Sequence, residues 1–289
     1  MDYAMIRDCH WSRTHWVGIA LVILAAPCAL FGQDVPEPTA TPKMLAINVL
    51  IGGLSAGAGN AAAGRSFWTG FVKGSGGGAV VFAGKRVIAE KGAIASWAGR
   101  LIAAAGSSQV RNAGAGRRMM EELVFPVGLA RLYVTTKDRT RFAAKLDLTA
   151  AIGTIAMSQR PGASFDPAAS VTHGAIIFTS PWLENDAPAA LRLGVIRVFD
   201  IPLPVEGEPV VKSAVIAHEL VHAAQYDFIS IAWSEPLEKW ALSRNRAGKV
   251  VHRYVDFSAL TYLWTGMHAL LPADRRPWER EAISLAPGR

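Results

Sequence analysis

Residues 209–228 read PVVKSAVIAHELVHAAQYDF, and this segment carries the clearest secondary-structure signal in the chain. Pro209 suits the first turn of a helix, and apolar residues make up much of the segment after it. The sequence therefore predicts a helix over about 209–228. His218 and His222 are four residues apart, so this helix places both imidazoles on one face, one turn apart.

The pattern HELVH has a chemical meaning on a helix. Two imidazoles at this separation bind one Zn²⁺ at about 2.0–2.1 Å each. Glu219 projects beside them, where it is positioned to deprotonate a zinc-bound water and relay the proton to a leaving amine. The motif predicts a zinc-dependent hydrolase. The alternative is two surface histidines with an incidental glutamate between them.

A catalytic zinc site needs a third protein ligand and one open position. The metzincin pattern would require Gly and His where this chain has Gln225 and Phe228, which excludes that class. A downstream glutamate must serve instead. Glu238 begins EKWA and Glu279 begins EREA, and both are predicted to lie on helices. For either residue, the alternative is a solvated surface charge.

HELVHAAQY, followed much later by RPWEREA, resembles a group of poorly characterised bacterial HExxH proteins. Their motif reads HE-x-x-H-x-x-Q, with a distal Glu-x-x-Ala after Pro and an aromatic residue, and they are similar to gluzincin metallopeptidases. The resemblance covers roughly residues 171–285. It implies that Glu219 is catalytic. It also implies three zinc ligands: His218, His222 and Glu279.

The resemblance makes Glu279 preferable to Glu238, with Glu281 as a lesser alternative. The chain departs from the gluzincin pattern at Ile283, where many members have an Asp that supports a histidine ligand.

Further residues are candidates for supporting roles. Gln225 lies one turn beyond His222 and either supports the site by hydrogen bonding or caps a groove. An oxyanion stabiliser is expected, and Tyr254 is the first choice, with His252 as the alternative. The segment 171–179 is a candidate edge strand for an extended peptide, and His173 within it is expected to be structural.

Upstream of the motif, alternating polarity predicts strands, so the expected fold class is α+β with an antiparallel sheet packed on the zincin-type active-site helix. A hairpin turn is predicted at Lys137-Asp138-Arg139. The sheet is expected to be an antiparallel meander. Its predicted strands are 129–135, 142–148, 152–158, 171–179 and 195–201.

Residues 44–118 form a Gly/Ala-rich region that includes IGGLSAGAGNAAAG and GSGGGAVVFAG. Small residues recur at spacings of three and four, which lets helix backbones approach closely. The region is predicted to be helical, packed on the rest of the protein or lying at a membrane. A phosphate-binding loop is discounted because GxxxxGK[ST] is missing. Residues 119–289 are predicted to be the zincin-like metallopeptidase domain.

The first 32 residues have the order of a secretory signal: a polar, basic start and an uncharged apolar stretch from Trp16 to Gln33. A retained anchor is the alternative. Residues 33–43 read as a linker. Both cysteines, Cys9 and Cys28, lie in the signal. The protein is expected to be exported to the periplasm, cell envelope or medium.

The net charge of +7 is spread along the chain rather than gathered in a stripe, which argues against a nucleic-acid partner. The predicted partner is a peptide or protein substrate, the membrane or cell envelope is a further candidate, and the oligomeric state is not predicted. The leading function is an exported zinc metallopeptidase. The alternative is a membrane-associated binding or structural protein with a non-catalytic zinc site. A third hypothesis is self-processing, with the Gly-rich region as a pro-segment.

Overall fold

The computed structural model describes residues 40–181, 189–192, 195–200, 212–242, 246–257 and 276–286, and these form a mixed α+β protein. The predicted signal at 1–32 lies outside the described residues. The helices are α1 Ala40–Ala62, α2 Phe67–Ala89, α3 Ala93–Gly114, α4 Leu148–Ser158, α5 Pro167–His173, α6 Lys212–Leu242, α7 Arg246–Tyr254 and α8 Pro277–Leu285. The strands are β1 Glu122–Val127, β2 Ala130–Thr135, β3 Arg141–Asp147, β4 Ser164–Phe165, β5 Ile176–Pro181, β6 Ala189–Arg192, β7 Val195–Asp200 and β8 Val255–Asp256.

Helices α1, α2 and α3 cover the Gly/Ala-rich region and pack through glycines. A Cβ on Gly84 would lie 2.6 Å from the carbonyl oxygen of Gly99, and a Cβ on Gly99 equally close to that of Gly84. Small residues therefore allow the backbones to touch, as their spacing predicts. Helix α1 begins at Ala40, inside the segment predicted to be a linker.

Within α1, the segment Pro42–Ala62 is long and apolar enough to cross a membrane, but half of it is buried inside the protein. A core helix has the same composition, so this feature is weak evidence for a membrane span.

Helices α1, α2 and α3, called the front helices below, share one hydrophobic core with the HELVH helix α6. Ile47 of α1 and Ile88 of α2 belong to the same buried cluster as Leu220 and Phe228 of α6 and Trp278 of α8. The Gly/Ala-rich region is thus part of the surroundings of the motif.

The first sheet has the strand order β1-β2-β3-β8. Strands β2 and β3 form the predicted antiparallel hairpin around Lys137-Asp138-Arg139. Strand β1, which was not predicted, pairs antiparallel with β2, and β8 adds in parallel to β3. The predicted strand at 152–158 is wrong, since these residues belong to α4. The Asp147 carboxylate accepts hydrogen bonds from the amides of Thr149 and Ala150, which caps a helix where β3 ends.

The second sheet has the order β4-β5-β7-β6, with β5 and β7 parallel, so the predicted all-antiparallel meander is wrong here. The predicted edge strand at 171–179 is right only for 176–179, which belong to β5, whereas 171–173 belong to α5. Asp166 caps α5 through the Ala169 amide, and Gly174 ends that helix in the left-handed conformation. Strand β5 follows and lies between β4 and β7.

A buried cluster of charges fastens the first sheet to α6. The Arg131 guanidinium of β2 donates to Asp147 at 2.9 Å, to Asp256 at 3.2 Å and to the Ser230 hydroxyl of α6 at 2.8 Å. Tyr133 also donates to Asp256. Because a buried charge is costly unless paired, this cluster fixes how the sheet sits on the motif helix.

Candidate metal centre

The motif helix α6 spans Lys212–Leu242, longer than the predicted 209–228, and it runs through the interior. Its residues from Ala214 to Val221 are all buried, and His218 and Glu219 are each 1% exposed. Apolar residues on several faces explain this position, since a helix that is apolar all round is a core helix. Front helices cover one side of it and the second sheet another.

Helix α8 supplies the third side chain of the site. Pro277 lies in its first turn, which suits proline, and Glu279 follows two residues later. The Glu279 carboxylate meets both motif histidines: Oε1 lies 3.4 Å from Nε2 of His218, and Oε2 lies 3.0 Å from Nε2 of His222. Three ligand atoms, one from each side chain, all lie within 4.8 Å of one another.

This geometry fits a bound metal ion. Among the described residues, none makes a hydrogen bond to either ring nitrogen of the buried His218. An unsatisfied buried polar atom is costly, and here the Nε2 atom lies 3.4 Å from a carboxylate oxygen without making a hydrogen bond to it. Two imidazole nitrogens and a carboxylate oxygen also form a ligand set of hydrolytic zinc enzymes. The group could therefore hold a metal ion.

Gln225 fixes the orientation of the His222 ring. Its Oε1 lies 2.7 Å from Nδ1 of His222, while its Nε2 donates to the carbonyl oxygen of Trp278 at 3.0 Å and to Oε2 of Glu281 at 2.8 Å. Both Nε2 partners are acceptors, so the amide cannot be flipped, and Oε1 must accept from Nδ1–H of His222. This tautomer leaves the lone pair on Nε2, the atom that faces Glu279.

The electrostatics of His222 reflect this crowding. Burial lowers the pKa of the imidazole. The hydrogen bond that the protonated ring donates to Glu279, the negative charges of Glu219 and Glu279 and the hydrogen bond with Gln225 outweigh burial, so the pKa is raised above its usual value. Glu219 is thus close enough to act on the ring electrostatically. The site gathers negative charge around two imidazoles, as a cation site should.

The structure separates the other candidate ligands from the site. Glu238 lies on the same helix as the histidines, sixteen residues beyond His222, and a straight helix carries its backbone about 24 Å away. Glu281 faces away from the histidines and binds Lys85, Asn48 and Gln225.

Tyr254 ends α7 and is 61% exposed. Within the described part of the chain its hydroxyl makes no hydrogen bond to the three candidate ligands, so its role in stabilising an oxyanion stays a prediction. His252 lies on the same short helix. His173 lies at the end of α5, where its Nδ1 pairs with the Ser96 hydroxyl at 3.0 Å. That contact joins α5 to α3, as expected for a structural histidine.

Two residues around the site escape sequence reasoning: Asn48 of α1 and Lys85 of α2, both fully buried. The only available signal is a lysine and an asparagine inside apolar helices, which also fits solvent-facing positions. No protein-family model, curated protein or solved structure was found that matches the chain.

Proposed function

We propose that the chain is a zinc-dependent metallopeptidase of the gluzincin type, with an HExxH active-site helix of the zincin kind. One observation carries the proposal. Glu279 comes from a separate helix at the far end of the sequence, yet its two carboxylate oxygens face the Nε2 atoms of His218 and His222. An incidental HExxH on a helix surface gives no reason for a distant carboxylate to meet both rings.

In this proposal His218, His222 and Glu279 hold the metal. Zinc, when bound, supplies Lewis acidity and lowers the pKa of water to about 7. Glu219 accepts the proton of the attacking water and delivers it to the nitrogen of the leaving amine. The C–O bond forms first, the C–N bond breaks once its nitrogen has received the proton, and no redox step is needed. Gln225 keeps His222 in the tautomer that offers Nε2.

An extended peptide is the substrate class that best suits the second sheet. Strand β6 ends the described sheet order and pairs with β7, and the motif helix packs against both strands. A peptide can extend such a sheet through main-chain hydrogen bonds. We therefore propose that β6, rather than the segment 171–179, is the edge strand that receives the peptide. The apolar N-terminal stretch supports export of the enzyme to the cell envelope or beyond.

The first experiment measures metal content and peptide cleavage in the same preparation. Wild type is expected to hold one zinc per chain and to cleave peptides. Glu219→Gln is expected to keep the zinc and lose about 10²–10⁴ of kcat, because a general base contributes that much. The matched control is Glu90→Gln, the same substitution at an exposed glutamate that ends α2. Full activity in Glu219→Gln refutes the assigned base.

A non-catalytic zinc site that stabilises the fold is the second candidate. It is favoured by the burial of the ligands, since the side chains of His222 and Glu279 are only 11% and 13% exposed. In that case the protein binds zinc, cleaves no peptide in a broad library, and responds to Glu219→Gln no more than to the control.

A further inference from the structure

A buried chain of hydrogen bonds leads from the Gly/Ala-rich helices to the metal ligand. Lys85 of α2 donates to Oε2 of Glu281 at 2.8 Å and to Oδ1 of Asn48 at 2.9 Å. Asn48 of α1 donates to Oε1 of Glu281 at 2.5 Å. Glu281 in turn accepts from Gln225, whose Oε1 holds the His222 ring.

Every group in this chain has a defined orientation. The two N–H groups of Asn48 bind the Met44 carbonyl and Glu281, so its Oδ1 is left to accept from Lys85. Each oxygen of Glu281 is bound by a donor, and the Lys85 ammonium lies 5.0 Å from the centre of the Trp278 ring. The members come from four helices, so their arrangement depends on the tertiary fold.

Burial makes the charges of the network interdependent. Lys85 and Glu281 are 0% and 1% exposed. Burial lowers the pKa of Lys85, and the charge and hydrogen bond of Glu281 oppose that effect. A buried carboxylate without its cation would draw other donors toward itself. That movement would displace the oxygen that accepts from the Gln225 amide.

We infer that Lys85 and Asn48 are positioning residues for the metal site: they hold Glu281 so that Gln225 presents the Nε2 lone pair of His222. The Gly/Ala-rich helices thereby act as an outer shell of the metal centre. Close glycine packing brings α1 near enough to α2 for these contacts. A Cβ on Gly78 of α2 would collide with the backbone of Asn48 in α1. Outer-shell partners of this kind tune metal affinity. The inference rests on the proposed metal site, but it concerns metal binding and ring orientation rather than cleavage.

The test compares Lys85→Met with wild type in the full-length chain, using zinc alone as the probe. Chelator competition is expected to give a zinc Kd about 10–100-fold weaker in the variant. Nitrogen-15 NMR of the metal-free protein, at a pH above the raised pKa of His222 where the ring is neutral, is expected to report Nδ1–H on His222 in wild type and a mixture of tautomers in the variant. A residue that only supports the fold would leave the tautomer unchanged.

The matched control is Arg100→Met. This substitution breaks another buried ion pair between a front helix and α6, Arg100 with Asp227 at 3.1 Å, which is not bonded to His222. It is expected to lower the free energy of unfolding while leaving the zinc Kd within about twofold of wild type, because the two sites share no partner.

A double-mutant cycle isolates the route. If Lys85 acts through Gln225, Lys85→Met adds no further loss of zinc affinity in a Gln225→Leu background. If Lys85→Met does not fold, the double variant Lys85→Met/Glu281→Gln, which leaves no unpaired buried charge, replaces it. The same loss of zinc affinity is expected.

An unchanged Kd and tautomer overturn the inference while leaving the proposed peptidase intact. Weakened zinc binding in a protein that cleaves no peptide supports the inference and refutes the peptidase. If wild type binds no zinc and holds His222 in no single tautomer, both are overturned.

Discussion

The Nε2 atom of His222 lies 3.0 Å from Oε2 of Glu279, although 57 residues separate them in the sequence. The same carboxylate turns its other oxygen toward His218. A helix can set two histidines one turn apart by local geometry alone, but the third ligand has to be delivered by the tertiary fold. The short helix α8, packed against α6 and the front helices, positions Glu279 beside the two histidines.

Glu279→Gln is expected to weaken zinc binding by more than the roughly 10–100-fold typical of losing an outer-shell partner, because it removes a charged ligand. Zinc Kd values from chelator competition measure the effect. Glu238→Gln serves as the matched control and should leave the Kd unchanged. Equal losses in the two variants would mean that Glu279 is not the third ligand.

Much of this site follows from local sequence. HELVH predicts the helix, the two histidines and the candidate base, and the resemblance to the HExxH-x-x-Q proteins points to Glu279 over Glu238. The roles of Lys85 and Asn48 do not follow, because the hydrogen bonds from Glu281 to Asn48 and Lys85 span 233 and 196 residues. Only the packed helices bring such groups together.

Some of the strands likewise follow from local sequence, whereas others depend on tertiary contacts. Alternating polarity and a polar turn suffice for the β2–β3 hairpin, whose pairing is local. The segment 152–158 reads as a strand from its composition, yet the Asp147 cap turns it into a helix. The parallel pairing of β5 with β7 depends on the return of a later segment, which periodicity alone does not encode.

Gly74 and Gly76 on α2 offer a test of the glycine packing. A Cβ at Gly74 would overlap the Gly52 carbonyl oxygen and the Ala56 side chain, whereas a Cβ at Gly76 would meet only Met119, at 3.8 Å. Gly74→Ala is therefore expected to lower the free energy of unfolding by about 1–3 kcal/mol.

Gly76→Ala is the control and should raise the free energy of unfolding by about 0.5–1 kcal/mol, because alanine costs less entropy in a helix. Urea denaturation measures both. Stabilisation by both substitutions would show that α1 and α2 are not in close contact.

The contribution of Asp227 to the free energy of unfolding should fall as pH rises, the opposite of the usual behaviour of a paired carboxylate. Burial raises its pKa above 3.8, and the charges of Arg100 and Arg131 and the hydrogen bond from Arg100 only partly oppose that effect, while Asp147 adds to it. The folded state therefore keeps the proton to higher pH than the unfolded state. Its contribution to stability is full below pH 3.8 and is lost as pH rises through the raised pKa.

The measurement is the free energy of unfolding of wild type minus that of Asp227→Asn, followed from acid to neutral pH. The difference is expected to move against wild type as pH rises. A difference that moves in favour of wild type would mean that the Arg100 ion pair outweighs burial.

The shared core of α2, α3 and α6 also bears on the hypothesis that the Gly/Ala-rich region is a pro-segment removed by self-processing. A zymogen prodomain covers a finished catalytic unit and leaves once it is clipped. Here, clipping in the connection between Gly114 and Glu122 and releasing the front helices would uncover the apolar flank of the motif helix and strip Glu281 of its cation. Excision of this region would therefore remove support from the candidate metal site, which argues against the hypothesis that the region is a pro-segment.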